Sequence, residues 1–157
     1  MRILKVIYVL AIAAALIALV VVGVEAFYPA PSYPEYDPPT ADYNSTEYQE
    51  WEQEWTNAVA AYDEQAAVHD RNIFLIVLPL GVVFAMVGTF IQRRTSIFGA
   101  GLILGGIGTM IFALTPYDLD NIPKFIGIAV ILAVLIFVGY KVFFLEKKLT
   151  FFSEPRS

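Results

Sequence analysis

Hydrophobic positions in this chain mostly do not alternate with polar ones; they run together in long blocks. Four segments carry no charged side chain: Val6 to Val24, Asn72 to Gln92, Thr95 to Tyr117 and Phe125 to Tyr140. They are 19, 21, 23 and 16 residues long, and Ile122, Pro123 and Val142 to Leu145 lengthen the last. A helix rises ~1.5 Å per residue, so about 20 residues cross a hydrocarbon core of ~30 Å. The pattern predicts four transmembrane helices, because buried helices of a soluble core rarely run so far without a charge.

The stretch between the first two blocks has two different patterns. From Phe27 to Tyr43, Pro29, Pro31, Pro34, Pro38 and Pro39 alternate with Tyr28, Tyr33, Tyr36 and Tyr43. Prolines this dense forbid helix and favour extended polyproline II, which makes a semi-rigid linker or a docking strip for an aromatic-lined partner. After Asn44-Ser45-Thr46 no proline or glycine occurs until Pro79. A helix is therefore predicted from about Glu47, capped through Thr46 with Gln49 or Asn44 with Glu47, and running toward the second span unless Asp70-Arg71-Asn72 interrupts it. Tyr48, Trp51, Trp55, Ala58, Tyr62, Gln65 and His69 recur at helical spacing while most carboxylates fall elsewhere. The expected element is an amphipathic acidic helix with one aromatic face. Tyr48, Trp51, Trp55 and Tyr62 are the interface candidates, either closed over by the Pro/Tyr segment or offered to another protein.

Charge sets the expected orientation. With the N-terminus inside, eight of ten Lys and Arg residues fall on the cytoplasmic side and thirteen of fifteen acidic residues on the other. The cytoplasmic segments then sum to +6 and the outer ones to −11, within a chain of net −5. The excess of Lys and Arg in short loops places both termini in the cytoplasm, in a plasma membrane. A basic start and Val24-Glu25-Ala26 imitate a cleavable signal peptide, but 19 apolar residues exceed the usual ~7 to 15 of that class, and a retained helix is expected.

The organisation expected from these patterns is all-α: transmembrane helix 1 in residues 1–26, an extracytoplasmic Pro/Tyr segment and acidic aromatic helix in 27–70, a three-helix transmembrane region in 71–145, and a basic cytoplasmic tail in 146–157. The chain after Tyr140 mixes Lys141, Lys147, Lys148 and Arg156 with Phe143, Phe144, Phe151 and Phe152, as an interfacial anchor does. Within the second span Pro79 and Gly81 predict a kink. The third carries Gly99, Gly101, Gly105, Gly106 and Gly108, and Gly101 with Gly105 forms a GxxxG, the spacing that lets helix backbones approach closely in lipid. Thr95 or Ser96 is placed to cap this helix, and Asp120 or Asn121 the fourth.

Candidate chemistry adds little. There is no cysteine, hence no disulfide to hold the outer segment, and a single histidine, His69, read as an interfacial hydrogen-bonding residue. No HExxH, GxSxG or P-loop pattern occurs, and Asp118, Asp120 and Asn121 are too few for calcium. No cofactor, metal site or enzymatic activity is expected, and no nucleic-acid partner. Asn44-Ser45-Thr46 matches a glycosylation acceptor but doubles as a helix cap. Four spans with a large first outer loop share the layout of claudins. The paired cysteines of that loop are absent, however, and Trp51 and Trp55 fall on a predicted helix, so no family is assigned. The expected role is a structural or accessory subunit of a membrane complex, with the bilayer and either a protein partner or further copies of itself as contacts. The alternative is an oligomeric channel or transporter component.

Overall fold

A computed structural model of the chain describes residues 2–40, 42–92, 94–116 and 119–141. Arg93, Asp118 and the basic tail lie outside them. The described residues form four helices and no strand: α1 (Arg2–Phe27), α2 (Thr46–Ile91), α3 (Ser96–Phe112) and α4 (Asn121–Gly139). α1, α2 and α4, of 26, 46 and 19 residues, are long and apolar enough to cross a membrane. α3 has 17 residues, about 26 Å, at the lower limit for a span.

The charge-free third block is thus only partly helical. Beyond Phe112 the backbone tightens, with Leu114 N–H bonding Ile111 O and Thr115 N–H bonding Phe112 O, and Pro116 then removes the next donor. Thr95 and Asp120 occupy the cap positions of α3 and α4, but neither side chain makes a capping bond. α2 is capped by Ser45, whose Oγ accepts from Tyr48 N at 3.2 Å, rather than by Thr46 or Asn44. The helix then continues without interruption through Asp70-Arg71-Asn72 and through Pro79.

The bundle is organised around α3. Its glycines divide between two faces. Gly99 and Gly106 meet α2, where a methyl group built on Gly106 would stand 2.6 Å from Ala85 N and from Gly81 O. Reciprocally, one on Gly88 would stand 2.8 Å from Gly99 O and one on Gly81 2.7 Å from Gly106 O. These pairings run antiparallel, and they bring main chain against main chain. On the opposite face Gly101, Gly105 and Gly108 receive Ile12, Leu16 with Ala13, and Ile17 of α1, in a parallel register. Here most of the close atoms belong to side chains, so this seam is a row of knobs in glycine hollows.

α4 rests against the bundle along Gly127, Val134 and Val138, with Gly127 under Phe74 and Leu114. Its other face, including Ile128, Leu132 and Ile136, is exposed and apolar. α1 shows the same division, with Ala13 and Val20 buried while Ile7, Leu10 and Leu19 are not. Such one-sided apolar exposure suits membrane-embedded helices, which have lipid as their solvent. Thr89 and Thr109 are buried at 7% and 0% exposure, and each donates its hydroxyl to the carbonyl four residues back, Ala85 O and Gly105 O, at 2.8 Å. Their polar groups are consumed within their own helices.

The two seams differ in tolerance. Gly106→Ala or Gly88→Ala pushes a methyl into backbone and should destabilise by about 1–3 kcal/mol, lowering the melting temperature in detergent by several degrees. Gly101→Ala, which meets Ile12 side-chain atoms at 2.7 and 2.8 Å, should cost less, and Gly23→Ala, with nothing within 4 Å, should cost nothing. Equal melting temperatures across the series would contradict this order.

Candidate functional site: an aromatic arm on the long helix

α2 outreaches its neighbours. α1 ends at Phe27, and the end of α3 at Phe112, with Thr115 and Pro116 just beyond it, reaches α2 near Tyr62, Ala66 and His69. The roughly 16 residues from Thr46 to Ala61 therefore extend past the bundle by about 24 Å. Their companion is the segment formed by residues 28–40 and 42–44, which lies back along the helix as a strap.

The strap's geometry follows from its prolines. Pro29 ends α1 by removing the donor that would continue it. Tyr28 stacks on His69, and Tyr36 reaches Trp51 and Trp55, so eight strap residues follow about sixteen residues of helix. That is ~24 Å of helix axis, or ~3 Å per strap residue, the rise of polyproline II. Burial has the matching period of three: Tyr28, Pro31 and Pro34 are half-buried against the helix while the residues between them are exposed.

Aromatic rings join the two elements. Tyr33 meets Tyr62 edge to face at a centroid distance of 4.9 Å and Trp55 at 5.9 Å. Tyr36 sits edge-on to both Trp51 and Trp55, at 5.2 and 5.1 Å, and Tyr43 packs on Tyr48 at 4.9 Å. Trp51 and Trp55 are stacked at 6.2 Å, and Tyr48 continues the row. These are the favoured offset and T-shaped geometries, worth ~0.5–1.5 kcal/mol each beyond burial. All four interface candidates, Tyr48, Trp51, Trp55 and Tyr62, lie in this layer, half-buried beneath the strap. Outermost are strap tyrosines: Tyr33, Tyr36 and Tyr43 are 58%, 60% and 76% exposed.

The inward stripe departs from expectation at two positions. Val59 and Ala66 face the strap, whereas Ala58 and Gln65 are exposed. Steps of three or four both fit a helical stripe, and the choice between them falls to the more apolar member of each neighbouring pair. The stripe then passes without a break through His69 into Ile73 of the bundle core.

Electrostatics divide the arm as clearly as packing does. Residues 27–70 contain ten acidic side chains and no Lys or Arg. Glu47, Glu50, Glu52, Glu54, Asp63 and Glu64 all lie on exposed faces of α2. Desolvation, followed by the neighbouring Tyr36, Tyr43 and Glu52, holds the Tyr48 phenol above its ordinary value. Asp37, Pro38, Pro39, Glu47, Glu50, Trp51 and Glu54 line an open acidic cleft of about 320 Å³. Among the described residues no cluster of three or more His, Asp or Glu side chains is arranged to hold a metal ion.

At its base the arm is clamped. Tyr28 O accepts from His69 Nε2 at 3.1 Å, the two rings stack at 4.7 Å and 4°, and Asn72 Nδ2 donates to the Tyr28 hydroxyl at 2.8 Å. An open cavity of about 360 Å³ adjoins this clamp, walled by the strap at Ala30 and Pro31, by α2, and by Phe112, Thr115 and Pro116. No protein-family model, curated protein or solved structure matches the chain.

From sequence alone Gly101 and Gly105 mark a packing face and Gly81 only a kink; the signal for the opposing face is the spacing of four and three in Gly81, Ala85 and Gly88. Nothing local distinguishes Tyr28 from the other strap tyrosines.

Trp51→Ala together with Trp55→Ala removes the surface on which Tyr33 and Tyr36 rest. Limited proteolysis should then cut the strap between residues 30 and 45 at least tenfold faster, with any loss of helix by circular dichroism confined to the roughly 16 residues of the arm. An unaltered cleavage rate would show that the tryptophans do not hold the strap.

Proposed function

We propose that this chain is a four-span protein of the plasma membrane, with both termini in the cytoplasm, that serves as a non-enzymatic structural or accessory subunit of a membrane complex. The aromatic arm is its contact surface, on the extracytoplasmic side. The observation that carries this reading is the exposure of Tyr33, Tyr36 and Tyr43 on an arm that stands beyond the bundle. Contiguous exposed aromatics rimmed by carboxylates have the make-up of a protein interface, an apolar centre in a polar ring. Trp51, Trp55, Tyr48 and Tyr62 form the floor that stiffens this surface, so little side-chain freedom is lost on binding.

Support for α3 as the fourth span comes from its place between α1 and α2. A helix shielded on two faces presents little surface to lipid, so a length of 17 residues is adequate where an isolated helix would need more. Support for a bundle without a transport path comes from Thr89 and Thr109, whose hydroxyls are turned back on their own helices.

Because the chain has no native cysteine, topology is readily tested. A cysteine at Ser45 should react with an impermeant maleimide on intact cells and one at Thr95 should not; the reverse pattern would overturn the orientation. The contact surface is tested by Tyr33→Ala/Tyr36→Ala, which leaves every span untouched. Loss of two central interface aromatics typically costs ~2 kcal/mol each, so the co-purifying partner or higher oligomer should weaken by several hundredfold while membrane yield is kept. Full assembly by the double variant would refute the arm as the contact.

A further inference from the structure

Given the proposed extracytoplasmic placement of the arm, on which this reading rests, we infer that Asn44, at the arm's far end, is a site of N-glycosylation. Of the four asparagines in the chain, Asn44, Asn57, Asn72 and Asn121, only Asn44 has a hydroxyl residue two positions on, Thr46, with a residue other than proline between. That is the acceptor triplet. The same residue types suit a helix cap, and the structure separates the two roles. Ser45 performs the capping, its Oγ accepting from Tyr48 N at 3.2 Å. Asn44 and Thr46, whose carboxamide and hydroxyl a transferase must engage, are both exposed.

Backbone shape and position favour the same reaction. Ser45 N–H donates to Asp42 O at 2.8 Å, closing a turn in which Asn44 is the third residue. α2 begins only at Thr46, so the turn can be reshaped to fit an enzyme cleft without unwinding the helix. Asp42, Tyr43 and Asn44 are all exposed, at the end of an arm that reaches about 24 Å beyond the bundle, which leaves room for a branched sugar. From Phe27, where α1 ends, seventeen residues lead to Asn44. Extended, they span about 50 Å, so a chain still folding can carry Asn44 to a membrane-bound transferase. In the transfer the Asn44 amide nitrogen attacks the anomeric carbon of a sugar carried on a polyisoprenyl phosphate or diphosphate. The N–C bond forms as the bond from that carbon to the phosphate oxygen breaks. The electron pair leaves with the lipid phosphate, and one amide proton passes to a base of the transferase. The glycan is bulky and hydrated. It covers the tip beside Tyr43 and leaves Tyr33 and Tyr36, lower on the strap, as the open part of the contact surface.

Mass spectrometry of the protein from its native membranes tests the site. Cleavage after glutamate releases residues 36–47, between Glu35 and Glu47, with Asn44 inside. This peptide should be heavier than its sequence by one oligosaccharide. Asn44→Gln and Thr46→Ala, expressed in the same cells, should return it to the mass of the bare peptide, whereas Thr46→Ser should keep the increment. Ser45→Ala removes the cap yet leaves the triplet, so it too should keep the increment. A native peptide of unmodified mass, or an increment that survives Asn44→Gln, would overturn the site. The placement of the arm is read separately, by an impermeant maleimide on intact cells carrying Glu64→Cys, an exposed position away from the tip. Labelling together with an unmodified peptide would refute the glycan alone; an unmodified peptide without labelling would refute the orientation as well.

Discussion

The approach of main chain to main chain across α3 governs the rest of the molecule. In lipid, helices gain nothing from hiding apolar surface, and close packing must supply the cohesion. Gly99 and Gly106 on one face of α3, opposed by Gly81 and Gly88 of α2, allow the closest packing available to two helices. Gly101, Gly105 and Gly108 on the other face then seat α1. With α1 and α2 held on opposite faces of one short helix, their relative height is set. The end of α1 arrives level with His69, and the strap starts at the foot of the arm.

Neither part of the arm is stable alone. A polyproline segment has no internal hydrogen bonds. The helix beyond the bundle carries Glu47, Glu50 and Glu54 at spacings of three and four, where like charges repel, and has no Lys or Arg to relieve them. Only Glu47, in the first turn, gains from the helix dipole. The ring contacts of Tyr33, Tyr36 and Tyr43 with Tyr48, Trp51, Trp55 and Tyr62 offset these costs. The strap and the helix are one folding unit, anchored at the Tyr28 clamp.

Periodicity and charge made the helices legible, because a continuous apolar run and a 3.6-residue stripe are properties of single segments. The ends were less so. Ser45, rather than Thr46, caps α2, and α3 stops at Phe112 because Thr115 and Pro116 close it off, both matters of one or two residues in adjacent turn-forming sequence. What a single segment cannot display is pairing. Gly88 against Gly99, Ile12 over Gly101 and Tyr28 on His69 each join residues far apart in sequence, and nothing local marks the partner. The aromatic face was visible on both strap and helix, but which rings would lie beneath and which outside depends on the register between them. That register follows from the Tyr28 clamp, and it leaves the tyrosines, not the tryptophans, outermost.

A preformed arm is the central claim, and backbone dynamics of the strap test it most directly. Measured by ¹⁵N relaxation, the amides of Ala30, Ser32, Tyr33, Glu35 and Tyr36 should have order parameters close to ~0.85, matching those of α2 beside them. Values below ~0.6 across these residues, with α2 rigid, would mean a strap that is not docked, and would contradict the account.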